Sequence, residues 1–176
     1  MSELVTTPMQ YLDRALTTLR DLGITPAKGE DAPINALLEQ ISDQGFEAAT
    51  LLKNGQYSKG RTVARVFRHM HEVRRAHVGR EFLKGIPHFK TDYVPARSEL
   101  VDAFKRCSRG IEQRLTRIIE EHARIKERSG LVLLGYLVSH DSHRRGQILL
   151  ALKQSGVRAP DLAKFGIWMH WFRPSL

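Results

Sequence analysis

The chain has 176 residues, 41% of them apolar and 27% charged, with 28 Lys+Arg against 19 Asp+Glu and a formal charge of +9. That length suits a single domain over 1–176 with a core of its own, and the absence of an apolar run of about 18 residues excludes a membrane-spanning helix. The positive charge attracts polyanions without specificity, but the basic residues are scattered and not interleaved with aromatics, so a solvated surface is expected rather than a nucleic-acid reader.

The opening Met1-Ser2-Glu3-Leu4 lacks the basic-then-apolar order of a secretory signal. One cysteine, Cys107, excludes an internal disulfide framework. Both features point to the cytoplasm, with Cys107 as an ordinary helix residue.

Taken in order, the pattern is helical almost throughout, and strand-like alternation is hard to find. An amphipathic stretch over about 7–22 ends at Gly23 and forms an N-terminal arm (1–30). Pro33 opens the next segment, 34–52, which stops at Asn54-Gly55. A second long segment covers about 60–84, and Gly85, Pro87 and Pro95 bracket a loop. A third runs over 96–122, dense in Arg and Glu on its outer positions, and a fourth over 129–155, stopped by Gly156. Short connections argue for antiparallel neighbours. The expected fold is therefore all-α: an antiparallel four-helix bundle over 33–156, with the arm before it and a short aromatic tail (157–176) after it. In that tail Trp168, Trp171 and Phe172 are expected to pack on the bundle or on a partner subunit.

Five of the eight histidines fall in two of these segments: His69, His71 and His77 in the second, His140 and His143 in the fourth. A helix turns about 100° per residue. If Val66, Met70 and Val73 mark the inward face, His69 and His77 look into the bundle and His71 meets water. In the fourth segment Leu133, Leu137, His140, Arg144 and Ile148 form one ladder, so His140 and Arg144 face the same space and His143 turns away. Asp141 falls among Leu134, Leu137 and Val138, a candidate buried carboxylate that could orient a ring N–H or pair with an arginine. An inward histidine is most often a satisfied core residue. Imidazoles from two facing helices can also converge on one ion.

The run His140-Asp141-Ser142-His143-Arg144-Arg145-Gly146-Gln147-Ile148 resembles the last-helix motif of the DinB-like (YfiT-like) family, roughly His-x-x-His-His-Arg-Gly-Gln-Ile. Val66-Phe67-Arg68-His69 and the closing Phe165-Gly166-Ile167-Trp168 are similar to further family signatures, and the resemblance covers about 33–172. It implies a four-helix bundle, often dimeric. It also implies a divalent nickel or zinc ion held by one histidine of the second helix and two, spaced His-x-x-x-His, of the fourth. Activities in the family are those of thiol-dependent transferases, isomerases or hydrolases.

Carried over, the first ligand falls on His69, the second on His140 and the third on position 144, which here is arginine. A guanidinium offers no lone pair and stays charged. His143 is the nearest substitute for a third ligand. Two readings follow. One is a metal-dependent enzyme of the transferase or hydrolase type, with His69 and His140 on the ion, Asp141 behind them and Arg144 binding an anionic substrate group. The other is a metal-free, non-catalytic protein that binds a small molecule or serves in stress, with Arg144 filling the third-ligand place. A homodimer is expected in either case.

Overall fold

The computed structural model describes residues 33–121 and 130–161. The N-terminal arm and the aromatic tail beyond residue 161 lie outside them. The described residues are mainly helical, with one small sheet. Helix α1 is Pro33–Gln40 and α2 is Asp43–Glu47. Strands β1, Ala49–Leu51, and β2, Tyr57–Thr62, pair antiparallel. Helix α3 is Val63–Ala76, a 3₁₀ turn covers Arg80–Phe82, and the long helices α4, Arg97–Glu120, and α5, Gly130–Gln154, follow. No described helix is long and apolar enough to cross a membrane.

The single helix expected over 34–52 is not formed. Ser42 breaks it: its hydroxyl accepts the Gly45 N–H at 3.1 Å and caps a new helix. The chain then turns at Gly55, whose φ of 78° suits glycine, and returns as β2. Thr62 accepts the Arg65 N–H at 3.3 Å and starts α3. The hairpin is held on the end of α5 through Gln154, whose side chain accepts the Leu51 N–H and whose carbonyl accepts the Tyr57 hydroxyl.

Helices α3 and α4 also run in the same direction, not antiparallel. Phe67 meets Phe104, Arg74 meets Ser108, and the His77 carbonyl meets Arg114, so both numberings rise together. Residues 77–96 make this possible. A 14-residue helix is about 21 Å long, and twenty residues of chain can retrace it. Helix α5 returns antiparallel to α3, with His77 beside Tyr136 and His69 beside His140.

Among the described residues the core has two apolar clusters. One joins α1, α2, the start of α3 and α4, and the end of α5, around Leu38, Phe67, Met70, Phe104 and Leu152. The other joins Val78, Ile111, Leu115 and Leu137 with Cys107. Burial pushes the Cys107 thiol up to about 12, as for an unreactive core residue. Between the clusters lies a polar layer. Arg74, fully enclosed, donates to Asp141 through Nε and Nη2 and to Ser108 Oγ through Nη1.

Helix α3 shows three faces. Val63, Phe67, Met70, His71 and Arg74 enter the core. Arg68, His71 and Glu72 hold residues 87–90 of the crossover: Arg68 donates to the Lys90 carbonyl, His71 Nε2 lies 2.9 Å from the Pro87 carbonyl, and Glu72 accepts the Phe89 N–H. Val66, His69, Val73 and His77 share the third face, toward α5. His71 thus corrects the expectation that it meets water; it is fully buried between Phe89 and Phe104.

Candidate functional site

The seam between the third face of α3 and α5 brings two of the expected histidines together. His69 Nε2 and His140 Nε2 lie 3.3 Å apart, and the ring centroids are 5.3 Å apart. Arg144, one turn after His140, leans back as helical side chains do and donates its Nε–H to His140 Nε2 at 3.2 Å. Its Nη1 donates to Gln147 Oε1 at 2.8 Å. Its Nη2 makes no hydrogen bond with the described residues.

His143 does not join them. It is exposed and its Nε2 accepts from Gln147 Nε2 at 3.1 Å. His77 stays at the far end of α3, with Nδ1 2.7 Å from the Val73 carbonyl and its ring 5.0 Å from Tyr136. Tyr136 in turn stacks on His140 at 6.0 Å and 22°.

These contacts assign the protons. Arg144 can only donate, so His140 Nε2 is an acceptor and the ring carries its hydrogen on Nδ1. Nδ1 faces Asp141 Oδ1 at 3.5 Å. Both atoms are buried and lack a hydrogen-bond partner among the described residues, so a small rotation of the ring would join them. Burial alone would raise the Asp141 carboxyl; the Arg74 guanidinium and His140 outweigh it and hold Asp141 below the usual carboxylate range. Asp141 is therefore an anion committed to Arg74, with one oxygen turned to His140. Burial, with help from Arg144, His140 and Arg68, holds His69 below the ordinary imidazole value. The His69 site therefore favours the neutral form of the ring.

The donor set does not match the three-histidine set that the resemblance implies. Among the described residues no three His, Cys, Asp or Glu side chains gather as ion ligands. The third place holds a cation whose N–H occupies the His140 lone pair.

Sequence reasoning missed Arg74, Tyr136 and Gln147. Gln147 stood in the family-like run without a role, and Tyr136 lies one turn before His140. Arg74 gave no signal, since an arginine is read as surface by default.

Fold and seam define a class: a mainly helical protein whose paired imidazoles meet between two antiparallel helices. The model described as DinB family matches residues 24–168, and the chain belongs to that family. No curated protein and no solved structure matches it.

Proposed function

We propose that the protein is a metal-free member of the DinB family that binds a small molecule at the α3–α5 seam, with Arg144 in the third-ligand place. The observation that carries this reading is the Arg144 Nε–H on His140 Nε2 at 3.2 Å. A fixed positive charge there repels a divalent ion and blocks the lone pair it would use. In the same reading α1 and α2 together stand for the broken first helix of a four-helix bundle. The homodimer rests on the family resemblance, and sedimentation of the 20.1 kDa chain tests it.

Elemental analysis and zinc and nickel titration test the metal-free site. The wild type takes up no stoichiometric ion, and Arg144→His gains one per chain that His69→Ala removes. Stoichiometric uptake by the wild type overturns the proposal. A failure of Arg144→His to bind removes the claim that Arg144 stands in for a ligand.

A second reading, a metal-dependent enzyme of the thiol-dependent transferase or hydrolase type, draws on one distance. Two nitrogens on a tetrahedral zinc ion at roughly 2.0–2.1 Å lie about 3.3–3.4 Å apart, and His69 and His140 are 3.3 Å apart. The wild-type titration decides between the two readings.

A further inference from the structure

The seam carries more than the paired imidazoles. On α5, Tyr136, His140 and Arg144 follow at four-residue steps, and on α3 His77 lies beside Tyr136 and His69 beside His140. Tyr136 is 45% exposed, and its ring stands at the surface beside those of His77 and His140. At the other end Arg144 is only half-buried. Its Nε and one Nη1 hydrogen are used within the seam. The outward edge, formed by Nη2 and the second Nη1 hydrogen, remains free of the described residues. That edge is the fork that meets a carboxylate with two parallel hydrogen bonds.

Charge at the seam favours an anion. Arg144 supplies a fixed positive charge there, and Arg68 adds its field at His69. Asp141, the carboxylate beside His140, is taken by Arg74. Gln147 holds the guanidinium in place, so little order is lost when an anion docks.

Shape then narrows the class. Tyr136 and Arg144 are about 12 Å apart along the helix axis, and His140 between them touches both. We infer that the seam binds a small aryl-alkanoic acid, with its carboxylate on the outward edge of Arg144 and its ring against Tyr136 and His77. This inference rests on the metal-free reading of the site and names its ligand class.

The test is calorimetry, with NMR of the histidine ring protons, on the EDTA-washed full chain at neutral pH. The probes are 3-phenylpropanoate, propanoate and inorganic phosphate. The aryl acid binds saturably and shifts the His69 and His140 rings. It binds about tenfold more tightly than propanoate or phosphate, the gain expected of one ring stack. Arg144→Gln weakens both acids at least tenfold, and Tyr136→Ala brings 3-phenylpropanoate down to propanoate. Unchanged circular dichroism shows that each variant is folded. The inference is overturned if no probe saturates, if phosphate binds as well as the aryl acid, or if Arg144→Gln binds like the wild type. Zinc uptake by the same wild-type preparation would instead overturn the metal-free reading, whereas a null result with all probes and no metal uptake removes this inference alone.

Discussion

Helices α3 and α5 carry two polar groupings about a turn apart, and they are built in opposite ways. Inside, Arg74 is enclosed and answered by a carboxylate, Asp141, with Ser108 and the Phe104 ring, 5.0 Å away, also against it. At the seam, Arg144 is half-open and, among the described residues, donates to His140 and Gln147 and not to a carboxylate. The histidines divide in the same way: His71 is sealed among aromatic rings, and His69, two residues earlier, faces the seam. A buried arginine with a committed carboxylate is part of the scaffold. An arginine with spare donors and no countercharge is free to receive a ligand. The two groupings touch through Asp141, which pairs with Arg74 on one side and faces His140 on the other.

The sharpest way to break this contrast is to remove the inner countercharge. Asp141→Ala leaves the Arg74 charge buried without its carboxylate, and urea unfolding should show a loss of about 3–5 kcal/mol. Replacing both partners, Arg74→Met with Asp141→Leu, should restore stability to within about 1 kcal/mol, because the cost lies in the unpaired charge and not in the lost attraction. A single Asp141→Ala that costs less than about 1 kcal/mol would mean that Arg74 finds other compensation and that the layer is not a structural pair.

Much of this could be read in the residues, for reasons that separate cleanly. The long helices α4 and α5 declared themselves through extended apolar periodicity and the Gly156 stop, where φ is 68°. The hairpin did not. β1 has three residues and β2 is mostly exposed, so neither shows the alternation that marks a half-buried strand. The parallel run of α3 and α4 was hidden because the chain between them was taken as a short loop. At the site, His69 and His140 were found through spacing and family likeness, and Asp141 was expected among apolar neighbours and is buried there. His71 was misplaced because the inward face of α3 was drawn through Val66, Met70 and Val73 alone. With Phe67 included, the face rotates toward His71 and Arg74, two polar residues that apolar periodicity does not count.

The two histidines of α3 allow a second test, by pH. Burial lowers the His71 pKa below its ordinary 6.5, against the opposing pull of the Pro87 carbonyl and Glu72 and with the aid of Arg74 and Arg75. The folded state therefore favours the neutral ring. Its contribution is complete above about pH 6.5 and is lost as the pH falls from there toward the folded-state value, because the unfolded chain takes up the proton first. Urea midpoints should fall between about pH 7 and pH 5. His71→Gln, which keeps a donor for the Pro87 carbonyl but does not titrate, should flatten that slope. An identical slope in the variant would assign the acid sensitivity to other groups, among them His69.

The smallest expected effect is at the seam itself. Arg144→Gln removes a half-exposed cation that makes no ion pair with the described residues, so stability should change by no more than about 1 kcal/mol, against the several lost in Asp141→Ala. Its signature is electrostatic. Burial is the first cause of the low His69 pKa and Arg144 the second. Without the guanidinium the pKa should rise toward the ordinary value but stay below it, as read from the ring protons in an NMR titration. A large loss of stability would place Arg144 with Arg74 as scaffold, and an unmoved His69 would mean that the guanidinium does not act on the paired imidazoles.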